Sequence, residues 1–524
     1  MITLWPPTFH ITTIGFITVI SIYLIRFFKR SGHYRRPPGP NGLPLVGNLY
    51  DLPKPGELEA HHWSKHKDLY GPISSVTVMG QTMVILNEAQ VAIDILDKRS
   101  IKYSTRPRRV FAGEMLGWEH SLGLLPHDHR FQNTRKVMGR EIGSKLTAAN
   151  YDKSQEIEAA HFLLRLLDEP TGLMHHIKKG AGSLALRILY GYIAEPFKDD
   201  PLIDLVEEAM DIFARATVPG AFVVDLIPFL KFVPGWLPGM GFKTLARKWR
   251  PVMTEMNIKP YAFVKHRLNQ GAEGTSFVAR LIQAGESSPD VISINQWSAS
   301  ALFGGAGDTI VGAMQCFFLA MGMFPEVQRR AQEEIDREIG QHRLPTMSDR
   351  ANLPYIEAVL LETLRWHPIS PIPLAHVSEE DDIYEGYFIP KGSMMLANVW
   401  QFTHDPEVYK DPMDFKPERY LPDDCHHPET DPRRFVFGFG RRVCPGRILG
   451  ENALYINIVQ SLAVFNITTD VTSLEEVRFT PGTISRPEPF ACVVKPRSPQ
   501  HETLVRSLER IYPWEEGHGK ILEG

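Results

Sequence analysis

From Ser293 to Met323 the chain carries one long apolar stretch, interrupted by a single charge at Asp308. Ser293 and Gln296 form an S-x-x-Q capping box at its start, and Pro325 is placed to open the helix that follows. Read as one helix, about 30 residues rising 1.5 Å each span roughly 45 Å. Such a helix crosses the whole body of a domain, and the rest of the fold has to be built against it. Its middle reads Gly304-Gly305-Ala306-Gly307-Asp308-Thr309. Glycine costs about 1 kcal/mol against alanine at each helical site, so three glycines beside a charge break the local rule in one place. Breaks of that kind are expected at functional sites. The plain alternative is close packing on the glycines with a solvated aspartate.

The composition of the 524 residues, 43% hydrophobic and 23% charged, is that of an ordinary globular protein. A net charge of −4 carries no basic excess that would point to nucleic acid. The four cysteines, Cys316, Cys425, Cys444 and Cys492, form no CxxC pair, which argues against a zinc knuckle or a disulfide framework and suits a reducing compartment. At the N-terminus, Ile11 to Phe28 is nearly long enough and apolar enough to cross a bilayer. Lys29, Arg30, Arg35 and Arg36 follow it and no basic residue precedes it, so the body is expected on the cytosolic side of an uncleaved signal anchor. The division expected is an anchor over 1–30, a semi-rigid proline-rich neck over 31–48, one large domain over 49–500, and a C-terminal tail over 501–524. Ser74 to Asn87 reads as two short strands about a Gly80 turn, and Ile383 to Asn398 as a hairpin turning at Pro390-Lys391-Gly392. Between them, from about 150 to 340, the pattern is helical. The fold class is therefore mainly α with small β-sheets, preceded by a single transmembrane helix.

One cysteine has informative surroundings. In Phe437-Gly-Phe-Gly-Arg-Arg-Val-Cys444-Pro-Gly446 the glycines let the backbone fold tightly around Cys444, and Ile448 to Leu462 reads as a helix. Cys444 then sits at or just before a helix N-terminus, where free N–H groups and the dipole favour a thiolate. A lone cysteine without that setting is usually a small buried hydrophobe.

Phe437, Gly440, Arg442, Cys444 and Gly446 match the F-x-x-G-x-R-x-C-x-G signature, and on these residues the chain resembles the cytochrome P-450 family. Glu362-Thr-Leu-Arg365 supplies the family's E-x-x-R, whose members share a helix face. Phe415-Lys-Pro-Glu-Arg419-Tyr420 follows at family-like spacing. The resemblance implies a P-450 fold, a haem b cofactor with Cys444 as the iron ligand, and a structural ion cluster of Glu362, Arg365 and Arg419. It implies that Asp308 and Thr309 are the oxygen-activating pair, Asp308 relaying protons and Thr309 steadying dioxygen. Here the pattern departs by Ala306 where glycine is usual and by Ile310 after the threonine. The haem propionates would meet Arg135, His376 and Arg442, and Phe131 stands where the family's W-x-x-x-R helix has tryptophan.

The resemblance further implies a flavoprotein reductase, fed by NADPH, docking on a basic face around Arg433, Arg434, Arg441, Arg442, Arg447, Arg135, Lys136 and Arg140. The apolar, Pro/Gly-rich stretch from Ala216 to Met240 would touch the bilayer and admit lipophilic substrates. Arg108 to Leu122, Ala301 to Thr309, Ile369 to Ile372 and Pro481 to Ile484 would line an apolar pocket. Phrases such as YEGYFIP and FKPERY look most like fungal members that tailor secondary metabolites. The expected activity is that of a monooxygenase in the endoplasmic reticulum membrane. A reductase-independent haem-thiolate isomerase or dehydratase is the rival within catalysis, and a non-catalytic haem sensor or carrier the rival outside it. Retention of Asp308-Thr309 argues against both. His127-Asp-His129 and Cys425-His-His427 resemble metal ligands only superficially.

Overall fold

The structure, a computed structural model, describes residues 35–522 except 55, 219, 273, 286–287, 423–426 and 474–475. The anchor expected over 1–30 and Cys425 lie outside the described residues. In chain order the elements that frame the site are α1 (Glu59–Tyr70), β1 (Ile73–Val78), β2 (Gln81–Leu86), α2 (His129–Ile142), α3 (Asp152–Asp168), α4 (Leu173–Tyr190), α5 (Pro201–Thr217), α6 (Phe242–Asn269), α7 (Pro289–Met323), α8 (Pro325–Glu338), α9 (Pro354–Trp366), β3 (His376–Val377), β4 (Asp382–Tyr384), β5 (Tyr387–Ile389), β6 (Met394–Ala397), α10 (Arg447–Val464), β7 (Phe465–Thr469), β8 (Cys492–Pro496) and α11 (Pro499–Ile511).

The long helix α7 is the axis, packed against α2, α4, α5, α6 and α10. By length and composition it could cross a bilayer, but its apolar faces are spent inside the body. One core joins its C-terminal half, Val311 to Met321, to α3, α8, α9 and α10. A second joins its N-terminal half around Ala299 to Phe303 to α4, α5 and α6. The capping box expected at Ser293 is not the start of the helix. Ser288 is the cap, its hydroxyl accepting from the Val291 N–H, with Pro289 in the first turn. Pro289 has no N–H to lose there, so the helix extends back one turn further than its apolar run. Ser293 instead accepts a hydrogen bond from Arg130 at 2.8 Å.

The largest sheet has the order β1-β2-β6-β3, with β1 antiparallel to β2, β6 parallel to β2, and β3 antiparallel to β6. Met79 and Gly80 make the β1–β2 turn, both with positive φ, as a two-residue hairpin loop requires. The second expected hairpin is corrected. β4 and β5 pair across Glu385-Gly386, which take φ of 48° and 81°. Pro390 to Gly392 leads onward to β6, which joins a different sheet. The described part of the neck lies along β1: Ser75 N–H donates to the Pro38 carbonyl and Asn48 N–H to the Thr77 carbonyl.

The stretch from Ala221 to Trp236 is pinned to the core by Val224, with Phe222 stacked on Phe111, but most of its other apolar side chains face outward. Val223, Phe229, Phe232 and Trp236 are all exposed, Trp236 by 81%. At the other end, residues after α11 run back over α3 and α4. Trp514 stacks on His161 at 4.1 Å between ring centroids, Glu515 pairs with Arg187 at 2.8 Å, and the Ile193 N–H donates to His518 Nδ1.

Candidate active site

The loop before α10 wraps Cys444. Gly438 and Gly440 have φ of 79° and 54°, and a Cβ on Gly440 would run into the Leu96 carbonyl. The Gly440 N–H donates to the Asp97 carboxylate, an anchor 343 positions away in sequence. The Cys444 N–H donates to the Phe437 carbonyl at 2.7 Å, and the Gly446 N–H is hydrogen-bonded to the Cys444 sulfur. Burial pushes the thiol up, against the Gly446 N–H and the guanidiniums of Arg135 and Arg447. A metal cation at the sulfur reverses that balance, because a coordinating thiol is deprotonated outright. Asp97 was not foreseeable, since nothing near it in sequence signals its partner.

Above this loop α7 opens. Ser298 to Ser300 and Leu302 to Gly304 are buried, Val311 to Met321 are buried, and Gly305 to Ile310 between them are accessible. The three central glycines have different roles. A Cβ on Gly304 would press on Met210 and Met256, whereas one on Gly305 would meet nothing within 4 Å. Gly305 therefore borders open space where the two cores part. Leu302, one turn earlier, would lie 3.8 Å from a Cβ on Gly446, so α7 passes directly over the cysteine loop. Thr309 donates its hydroxyl proton to the Gly305 carbonyl at 2.8 Å. Asp308 pairs with Arg486, Nη1 to Oδ1 3.3 Å, and burial raises its carboxyl while Arg486 opposes the rise.

Arg135, His376 and Arg442 gather on one wall, and a third arginine, Arg106, joins them. Arg442 donates to the carbonyls of Ser104, Leu122 and Leu125. Arg135 donates to the Val443 carbonyl at 2.7 Å. Arg106 donates to the Leu374 and Ala375 carbonyls, leaving its buried Nε without a partner. His376, carried in by β3, bonds the Tyr103 carbonyl through Nδ1 at 2.7 Å. Among the described residues none of these arginines makes a salt bridge. The cost shows in their ionisation: burial, with Arg106 and Arg135 adding to it, brings Arg442 down to about 8, and burial brings Arg106 to about 10. Burial likewise holds His376 well below its usual value, with Arg106 and Arg442 adding to it. Three half-buried guanidiniums without a salt-bridged carboxylate fit an anionic group, and the paired propionates of haem would supply the missing charge. Arg106 follows Thr105 in the sequence without any motif to mark it.

The expected ion cluster assembles beneath α9. Arg365 meets both oxygens of Glu362 at 2.8 Å, and Arg419 reaches Glu362 at 3.1 Å. A fourth member, Glu429, takes Arg419 at 2.5 Å and balances the charge. On the face beyond the cysteine loop, Lys136, Arg140, Arg434, Arg441 and Arg447 are exposed. Arg433 is not a free surface cation, being tied to Asp431, Glu357 and Glu451.

A cysteine loop under an open helix, beside a cluster of half-buried arginines, fits the site of a haem-thiolate protein. A model of the family described as "Cytochrome P450" matches residues 37–493, and the chain belongs to that family. It is 46% identical over 499 residues to "Cytochrome P450 monooxygenase claR" of Ampulloclitocybe clavipes, covering 94% of this chain and 92% of that protein. It is 44% identical to "Cytochrome P450 monooxygenase ppsD" of Aspergillus oryzae, over 93% of each. It is 41% identical to an "O-methylsterigmatocystin oxidoreductase" of Aspergillus flavus, over 91% of each. The chain is thus a monooxygenase of the cytochrome P450 family, and its cofactor is haem b with a thiolate ligand.

Proposed function

We propose that this enzyme places one atom of dioxygen into a lipophilic organic substrate, in a tailoring step of fungal secondary metabolism. Two electrons from NADPH, passed through a flavoprotein reductase, and two protons turn the other atom into water. The observation that carries this reading is the accessible run Gly305 to Ile310, which bears an acid and an alcohol about one to two turns beyond Leu302, the residue of α7 that lies against Gly446 of the cysteine loop. Relatives named as monooxygenases and an oxidoreductase support it.

In this reading Cys444 holds the haem iron from one side, and Arg106, Arg135, His376 and Arg442 hold the propionates. Bound there, haem supplies oxygen activation, the thiolate pushing electron density onto the iron. The protein supplies the protons. Thr309 presents a hydroxyl, fixed by the Gly305 carbonyl, with lone pairs free to accept. Asp308 moves protons inward. The exposed cations Lys136, Arg140, Arg434, Arg441 and Arg447 suit an acidic reductase, which electrostatic attraction would steer. Val223, Phe229, Phe232 and Trp236 suit a bilayer surface, consistent with an endoplasmic reticulum anchor at 1–30 and a body in the cytosol.

The test is the carbon monoxide difference spectrum of reduced membranes, wild type against Cys444→Ser. A Soret band at the position typical of thiolate-ligated haem, lost in the variant, is expected. NADPH consumption that needs the reductase and rises with substrate should accompany it. Turnover of a substrate without reductase would favour an isomerase or dehydratase instead.

A further inference from the structure

Asp308 is held from outside its own helix. Arg486 lies in the segment between β7 and β8, and a clamp fixes its backbone. The Arg486 N–H donates to Thr480 Oγ1 at 3.1 Å, and the Thr480 N–H donates to the Arg486 carbonyl at 2.9 Å. The Ser485 N–H donates to the Ile369 carbonyl at 2.8 Å, and the Ser485 hydroxyl bonds His367 Nε2 at 2.9 Å. This clamp packs closely on α7 at Gly312. A Cβ there would stand 3.1 Å from Ile369 Cδ1 and 3.4 Å from Arg486 Cβ. Gly312 is one turn beyond Asp308, so the clamp meets α7 beside the carboxylate that its guanidinium pairs with.

The remaining charges around Asp308 come from the two helices packed over α7. Lys178 on α4 and Glu207 on α5 face it and pair with each other at 3.0 Å on the exposed side. Asp308 thus stands between an ion pair open to water and the opening that holds Thr309. Neighbouring positions on a helix point about 100° apart, so the two side chains divide those directions between them.

We propose that Arg486 is a positioning residue for proton delivery, holding the Asp308 carboxylate between the Lys178–Glu207 pair and Thr309. This rests on the monooxygenase reading of the Asp308–Thr309 pair. A proton that Asp308 passes toward Thr309 is replaced from water on the Lys178–Glu207 side, so the carboxyl returns to its starting state each cycle. A buried carboxyl with no cation beside it would keep its proton. A group that binds its proton too tightly relays poorly, because a relay works best with its pKa near the operating pH. Arg486 opposes the effect of burial on Asp308, which keeps the group able to give up and regain a proton.

The experiment uses the full-length, haem-loaded enzyme with its reductase. Wild type must first show the thiolate Soret band and oxidise a substrate; failure there would sink the monooxygenase reading rather than the role of Arg486. R486Q is expected to keep the Soret band while product formed per NADPH falls about tenfold, less than the roughly 100-fold worth of a general acid itself. Hydrogen peroxide should make up the difference, and the pH optimum of coupled turnover should move upward. R486K, which keeps a cation, should restore most of the coupling. Separately from turnover, pH-induced infrared difference spectra with D308N as the blank should show the Asp308 carboxyl titrating at higher pH in R486Q. Normal coupling in R486Q, equal loss in R486K and R486Q, or an unmoved carboxyl titration would each overturn the proposal.

Discussion

The Arg442 guanidinium sits over the ring of Phe131, 3.9 Å from its centroid. Phe131 has no indole donor to offer. Its ring face serves a different purpose here, stabilising a cation that burial and two other arginines work against. A desolvated cation–π contact is worth about 2 kcal/mol. Phe131→Leu keeps the apolar volume and loses the π face. It should lower stability by about 1–2 kcal/mol and speed haem release to an apoglobin acceptor. Phe131→Trp should do neither.

Glu362 is completely buried between two arginines, and Glu429 lies beyond one of them. Removing Glu362 leaves Arg365 and Arg419 with one carboxylate between them, at a cost of about 3–5 kcal/mol. Glu362→Gln should fail to accumulate as holoprotein at 37 °C, measured by the Soret absorbance per mass of protein. Glu429→Gln leaves Arg419 still bonded to Glu362 and should give a folded enzyme with a lower melting temperature.

The start of α7 is decided by Ser288. Its replacement by alanine should cost about 1 kcal/mol, as for other N-caps. Ser293→Ala should leave the helix intact and remove only one bond of Arg130, which keeps its contact with His120. Urea unfolding of the two variants tells the caps apart, and equal effects would contradict the assignment.

Stability should fall on acidification below neutrality. Burial pushes His367 down to about 3 from an ordinary value near 6.5, and burial holds His376 and His404 far below theirs. Between those values the unfolded chain binds protons that the folded chain refuses, so the stabilisation is complete above pH 6.5 and is lost progressively toward pH 3. Each such histidine contributes a slope of up to about 1.4 kcal/mol per pH unit. His367→Gln retains a partner for Ser485 and removes one titrating group. The difference in unfolding midpoint between pH 7 and pH 5 should shrink in that variant.

Much of this protein is legible along the chain. The cysteine loop, the E-x-x-R pair and the glycines before Asp308 are local patterns, because each is written within about one helical turn or one tight loop, whereas Arg419, 57 positions from Glu362, was reached only through the family resemblance. The apolar run of α7 likewise announced a central helix, since a segment that long and apolar has few places to go. Its first turn did not, because Pro289 and Ser288 are polar or neutral signals that only hydrogen bonds distinguish from Ser293 and Gln296. The hairpin turn was misplaced for a related reason: Pro390 to Gly392 and Glu385-Gly386 both read as turns, and strand pairing chose between them.

What the tertiary structure alone decided are the partners that arrive from far away. Asp97 reaches Gly440, Glu429 completes the charge around Arg419, Arg106 joins Arg442, and Arg486 meets Asp308. Each is an ordinary charged residue in its own neighbourhood. Its meaning comes from burial beside an opposite charge, a bare N–H, or an unbalanced like charge. Those energies depend on distance in space and on exclusion of water, and neither can be read from position in the chain.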